Sequence, residues 1–218
     1  SGMFYRNVNL LEHGIRLVYV FDGEAPLLKA DEVEKRRRRR KAAYEEWERA
    51  KAEGRIEDAF RAARASSRLT TEMIEESKEL LRALGIPVIQ APSEGEALAA
   101  QMAREGHVWA SASQDNDSLL YNSPRMVRNL SITGRRRRGR RGGYTVVQPE
   151  VIDLDQNLQL LGITREQLID IAILVGTDYH PGVKGIGPKT ALKLILKYGS
   201  LERVERERGL ELGMPYQE

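Results

Sequence analysis

Two pairs of carboxylates stand out for what they could do together. Glu94 and Glu96 lie in APSEGEA, and Asp115 and Asp117 lie in SASQDNDSLL. Between them run a helix-like segment, residues 97–104, and a short apolar run, His107 to Ala112, that reads as a buried strand. Each pair therefore falls at the end of an element. Four acids gathered at one end of a sheet repel one another unless a positive charge sits among them. A hard divalent cation, which prefers oxygen ligands, is the economical candidate. Each pair also has a plainer reading. Ser93-x-x-Glu96 is a capping box, in which the glutamate satisfies a free backbone N–H, and Asp-Asn-Asp after a strand is a common turn composition.

The same placement recurs at two other points. Residues 15–21 (IRLVYVF) are dense in β-formers and end at Asp22-Gly23. A near-continuous apolar strand suits a parallel sheet buried on both faces. An aspartate at its carboxyl end sits where open α/β sheets bind ligands, or simply ends the strand in a turn. Thr164 starts a helix that runs through Val175 and stops at Gly176-Thr177-Asp178, leaving a further acid just beyond a buried element.

Composition bounds the rest. In 218 residues there is no cysteine, which excludes disulfides and thiolate zinc sites. No run of apolar residues approaches a membrane span and no signal peptide is visible, so an intracellular protein without a membrane partner is expected. The net charge is only +3, but Lys35 to Lys41 is seven basic residues in a row and Arg135 to Arg141 holds six more. Without those 13 the chain carries 22 basic against 32 acidic residues. Concentrated positive charge on an acidic body is the footprint of a nucleic-acid binder, or else a solvated charge run.

The elements that must position these groups follow. Phe4, Val8 and Leu11 have helical spacing in a segment with no capped start, so the chain is expected to begin partway into a fold. Residues 31–70 contain only six large apolar residues (Val33, Tyr44, Trp47, Ile56, Phe60 and Leu69), with a break near Gly54. Long helices with so narrow an apolar stripe should project from the core. A helix over 71–84 and a strand over 86–90 follow, which makes a βαβ arrangement with the first strand. Residues 125–130 and 144–148 read as strands of one hairpin with the Arg-rich loop at its tip, and Pro149 as the opening of a helix to Leu161. Gly182, Gly185 and Gly187 form a tight turn before a Pro-initiated helix over residues 188–197. Glycine turns feeding a helix N-terminus leave N–H groups free to hold phosphate. VKGIGPKTA is therefore read as a helix-hairpin-helix contact to the DNA backbone, in preference to an ordinary turn.

With VFDGE, APSEGEA, SQDNDSLL, VGTDY and VKGIGPKTA in this order, the sequence resembles the archaeal and eukaryotic flap endonucleases of the 5′-nuclease superfamily. The resemblance covers essentially the whole chain. It implies an α/β fold of the PIN-like 5′-nuclease type: a mostly parallel central sheet with helices on both faces, a projecting helical arch, and a helix-hairpin-helix element. It divides a single nuclease core (1–218) into an N-terminal portion (1–30), the arch (31–72), an internal nuclease region (73–178) and the hairpin element (179–206).

The resemblance also assigns roles. Asp22, Glu94 and Glu96 would serve one divalent metal, and Asp115, Asp117 and Asp178 a second, as Mg²⁺ or Mn²⁺. Lys29 and Arg36 match the basic pair aimed at the scissile phosphate. Gly182, Lys184, Gly185, Gly187 and Lys189 would grip duplex DNA, with Arg37 and Arg40 contributing from the arch. A monovalent cation, usually potassium, would bridge the carbonyls of Gly182, Val183 and Ile186. Two such metal ions suit phosphodiester hydrolysis, and the basic pair would offset charge on the phosphoryl oxygens. The expected activity is structure-specific 5′ flap cleavage, with 5′→3′ exonuclease activity, in DNA replication and repair. Branched DNA is the expected partner, and in the full-length protein a sliding clamp. An archaeal relative would work in the cytoplasm or nucleoid.

Measured against that family, the chain is expected to be truncated at both ends. It lacks the first strand with its aspartate, so six of seven acidic positions remain, and it lacks the clamp-docking motif. Two other readings fit the same residues: a non-catalytic DNA-binding fragment, and a sister 5′→3′ exonuclease or junction nuclease. The spacing from Asp22 to Glu94 favours the flap enzymes over the last.

Overall fold

The computed structural model describes residues 2–131, 134–137, 144–210 and 212. Helix α1 (Gly2–Glu12) precedes strand β1 (Tyr19–Phe21). A 3-10 turn at Leu27–Lys29 opens α2 (Ala30–Ala52), followed by α3 (Ile56–Ser66), α4 (Thr71–Ala83) and β2 (Val88–Gln90). Next come α5 (Gly95–Arg104), β3 (Ser111–Ala112), α6 (Asp117–Leu120), β4 (Arg125–Arg128), β5 (Gly134–Arg137), β6 (Tyr144–Val147) and β7 (Glu150–Asp153). Four more helices follow among the described residues: α7 (Leu154–Leu161), α8 (Arg165–Val175), α9 (Pro188–Tyr198) and α10 (Leu201–Arg208). The fold is α/β. β1 pairs with β2; β3, β4 and β7 form a sheet in that order, with β3 parallel and β7 antiparallel to β4. β5 and β6 make an antiparallel ladder. The chain divides into two compact units, Ala25–Val88 and the remainder (1–24 with 89–218).

In the larger unit the apolar core sits among the last three helices. Leu174, Ala191, Ile195, Leu201 and Val204 are buried together, with Ile171, Val183 and Leu194 packed around them. Polar groups on α8 fix this packing. Thr164 and Gln167 form a reciprocal capping box at its start, which satisfies two N–H groups that a helix end leaves open. Gln167 Nε2 then donates to the carbonyl of Gly199 at 2.9 Å. Ser200 leaves α10 without a side-chain cap, and the Asp170 carboxylate accepts the Leu201 N–H at 3.1 Å instead.

The smaller unit is a helical hairpin with α4 following it. Ala50 and Ala62 are buried where α2 and α3 meet, because small side chains let the helices close. Gly54, at φ +70°, makes the turn. The Arg55 guanidinium spans it, reaching Glu53 (2.7 Å), Asp58 (2.8 Å) and Glu46 (3.1 Å), and those carboxylates hold its proton more tightly than usual.

Several local expectations are corrected. The strand at residues 125–128 pairs with β7, not with 144–148; the latter segment pairs with residues 134–137. Pro149 opens a strand, because the β-branched Val151 and Ile152 extend the sheet, and the helix starts only after Asp153, whose carboxylate accepts the Gln156 N–H at 3.0 Å. On α1 it is Asn7 and Leu10 that are buried, while Phe4 and Leu11 remain exposed. Asn7 earns its place by accepting the Tyr19 hydroxyl at 2.8 Å. The run 107–112 is strand only at Ser111–Ala112, and Trp109 is 60% exposed. The tip of the Arg-rich loop, residues 138–143, lies outside the described residues.

Candidate metal-carboxylate site

Asp22 follows β1 directly. Its side chain accepts the N–H of Gly95 at 2.7 Å, and its carbonyl accepts Gln90 Nε2 at 2.5 Å. Two glycines permit this approach. A Cβ on Gly95 would stand 2.9 Å from Asp22 Oδ1. A Cβ on Gly23 would stand 2.7 Å from the carbonyl carbon of Pro92, where the Gly23 N–H donates to Ser93 at 2.6 Å. The end of β1 is thereby fastened to the start of α5.

Glu94 is the N-cap residue of α5, and its own side chain makes no capping hydrogen bond; the first N–H of the helix, that of Gly95, goes to Asp22 instead. The capping-box reading of Ser93 and Glu96 therefore fails. Glu96 instead accepts a hydrogen bond from the Ser113 hydroxyl, and Ser113 Oγ in turn accepts the Asp115 N–H at 3.1 Å. Ser113 thus ties the loop after β3 to the first turn of α5. Burial raises the pKa of Glu96, opposed by the Ser113 bond and reinforced by the charges of Asp117, Asp115 and Asp22. Carboxylates from two other stretches of chain consequently act on Glu96.

Asp117 is the first residue of α6, and Tyr121 caps the end of the same helix. The Tyr121 hydroxyl lies 3.0 Å from that of Tyr179. Burial, this hydrogen bond and the nearby Tyr179, Glu94 and Asp117 all hold the Tyr121 proton well above the usual phenol range. Asp178, next to Tyr179, sits in a turn in which Thr177 Oγ1 accepts the N–H groups of Tyr179 and His180, each at 3.1 Å. Four of the six acids thus act on one another at Glu96; Glu94 and Asp117 both act on Tyr121, and Asp178 adjoins Tyr179, the hydrogen-bond partner of Tyr121. Ser113, Tyr121, Tyr179 and the two glycines were not singled out by motif spacing, since their roles depend on contacts distant in sequence.

Among the described residues, no three of these acids converge closely enough to hold a metal ion as the side chains stand. The donor chemistry nevertheless fits: oxygen ligands only, at element ends, with mutual repulsion that a divalent cation would relieve. Lys29 and Arg36 belong to the other unit. Lys29 ends the 3-10 turn. On α2, Arg36 pairs with Glu32 at 3.3 Å, Arg37 with Glu34 at 3.7 Å, and Arg40 is exposed.

Past the Asp178 turn, Gly182 has φ +72°, and a Cβ there would stand 2.6 Å from the Gly176 nitrogen. Val183 N–H returns to the Leu174 carbonyl at 2.9 Å, and the Val183 carbonyl accepts the Ile186 N–H at 3.0 Å. Gly185 is at φ +87°. Gly187 precedes Pro188, the first residue of α9, and no side chain caps that helix. Lys184, Gly185, Gly187 and Lys189 are exposed around it. An exposed helix N-terminus flanked by two lysines is suited to a phosphate.

Residues 85–178 match the XPG I-region, and residues 1–43 the XPG N-terminal domain. Flap endonuclease 1 of Ignicoccus hospitalis is 55% identical over 211 residues, which are 97% of this chain and 60% of that protein. Among solved structures, flap endonuclease-1 from Methanococcus jannaschii is similar with a TM-score of 0.67 and 43% identity, covering 94% of this chain and 62% of that one. The catalytic core of Rad2 in complex with DNA substrate has the same TM-score at 30% identity, with 96% and 59% covered. The chain spans about three fifths of the length of the curated relatives it matches. With more than half of its residues shared with archaeal relatives across nearly its whole length, the chain is similar throughout to the matching part of the flap endonucleases.

Proposed function

We propose that this chain carries the larger part of a structure-specific 5′ flap endonuclease that hydrolyses phosphodiesters in branched DNA, during replication and repair. The observation that carries the reading is that hydrogen bonds fasten Asp22, at the end of β1, and the loop bearing Asp115 to the first turn of α5, which holds Glu96. Asp22, Glu94 and Glu96 would hold one divalent ion, and Asp115, Asp117 and Asp178 the other, as Mg²⁺ or Mn²⁺. When bound, such ions supply the activated hydroxide and the charge that the leaving oxygen needs.

The chain's own residues do the remainder. Ser113 and Gly95 orient Glu96 and Asp22 by donating to them. Lys29 and Arg36 would counter charge on the phosphoryl oxygens, and α2 with α3 would form the arch over the 5′ single strand. Gly182, Lys184, Gly185, Gly187 and Lys189 would hold the duplex backbone, with potassium at the carbonyls of Gly182, Val183 and Ile186. Phosphate contacts of this kind position a duplex without reading its sequence. The Rad2 core was solved with a DNA substrate, which supports branched DNA as the ligand. A sliding clamp would be a partner of the whole protein, working inside the cell.

The test is cleavage of a 5′-labelled flap substrate by this chain in Mg²⁺, with EDTA and Asp115→Asn as controls. Cutting near the flap junction that both controls abolish is expected. Binding without cutting would leave a DNA-binding part of the enzyme. Neither binding nor cutting would overturn the reading.

A further inference from the structure

The hairpin of α2 and α3 holds an apolar cleft of about 240 Å³, lined by Trp47, Ala50, Ile56 and Phe60 among others. The hairpin's own packing does not close it, since Ile56 and Phe60 keep 70% and 69% of their surfaces exposed. Its aromatic wall is extended by Tyr44, whose ring centroid lies 5.3 Å from that of Trp47 at an interplanar angle of 50°. Lys51 places Nζ 5.2 Å from the centre of the Trp47 ring.

The helical repeat sets what stands beside this cleft. At 3.6 residues per turn, Arg36, Arg40, Tyr44, Trp47 and Lys51 fall within roughly 80° of one face of α2. Cations occupy the N-terminal half of that stripe, aromatic rings the next part, and a further cation its end. A hydrophobic core element has no use for such an order. A polyanion whose monomers carry flat apolar faces matches it, because phosphates meet the cations while bases stack on the rings. We propose that the Trp47–Phe60 cleft is a base-stacking site for single-stranded DNA, with Arg40 and Lys51 flanking it as phosphate contacts. This rests on the reading of the chain as a DNA nuclease and adds to it a stacking contact that grips the strand by its bases.

The test uses the chain carrying Trp109→Phe, so that Trp47 is the remaining tryptophan. Fluorescence is titrated with oligothymidylate and with an abasic strand of equal length. Quenching by oligothymidylate and not by the abasic strand is expected. Trp47→Leu and Phe60→Ala, each checked for an unchanged melting temperature, should each weaken oligothymidylate binding about tenfold, the scale of one lost stacking contact. Neither should alter abasic-strand binding. Equal quenching by both strands, or full affinity in both variants, would overturn the site. Quenching of Trp47 on self-association without DNA would overturn it too, by giving the cleft to a second copy of the chain. Flap cleavage with no stacking signal would sink the cleft alone; no DNA binding of any kind would sink the nuclease reading with it.

Discussion

Two half-buried carboxylates in the larger unit show what separates its two ends. Asp170 and Glu96 both have raised pKa values, and burial is the first cause for each. Asp170 has a structural occupation: it accepts the Leu201 N–H beside the core of α8, α9 and α10. Glu96 accepts from the Ser113 hydroxyl, and like charges raise both groups further: Glu202 and Glu166 at Asp170, and Asp117, Asp115 and Asp22 at Glu96. One carboxylate completes a helix start, whereas the other ties the start of α5 to the loop after β3. The difference teaches that a half-buried carboxylate among like charges does not by itself mark a site; Glu96 differs in that its acidic neighbours, Asp22, Asp115 and Asp117, all stand at element ends or in the loop after a strand, where a ligand can reach them.

The comparison is broken most forcefully at the core. Leu174→Ala should cost about 2–5 kcal/mol, since Leu174 is fully buried, measured as a drop in urea midpoint with an unchanged slope. A smaller loss, about 1–3 kcal/mol, is expected for Gly182→Ala, where φ is +72° and a Cβ would meet Gly176; thermal unfolding reads it.

Glu96→Gln sharpens the contrast through pH. Because the folded pKa of Glu96 is raised above its ordinary value of 4.5, the unfolded chain loses this proton first. The metal-free protein should therefore lose stability as pH rises from that value through the folded pKa. Melting in EDTA across this range should show a flatter profile for Glu96→Gln, whereas an unchanged slope would mean that the field at Glu96 is negligible. Asp170→Asn is expected to do least. An amide oxygen still accepts the Leu201 N–H while the charge disappears, so melting at neutral pH should shift by no more than a degree or two; a large loss would show that the charge itself holds α10.

Much of this was legible in the sequence, and the failures have physical reasons. Thr164-x-x-Gln167 and Ser93-x-x-Glu96 are the same pattern with opposite outcomes. The first forms its capping box. In the second, Glu96 turns to Ser113, a partner 17 positions away that no local rule contains. Asp22, Glu94, Asp117 and Asp178 were readable as acids at element ends because the flanking elements are strongly patterned. Pairing was harder: nothing in residues 144–153 announces that Tyr144–Val147 and Glu150–Asp153 belong to different ladders. Nor does apolar spacing foresee that Asn7, hydrogen-bonded to Tyr19, would displace Phe4 from the buried face of α1.

The short link from Asp178 to Val183 is stapled to α8 at its far end by Val183 N–H on Leu174, and closed on itself by Thr177 N–H on His180. On the proposed reading it is a ruler. One of its ends carries a catalytic acid and the other begins the grip on the duplex. The spacing between cut and grip would then be written into six residues of backbone, and the enzyme would count nucleotides by the length of its own chain.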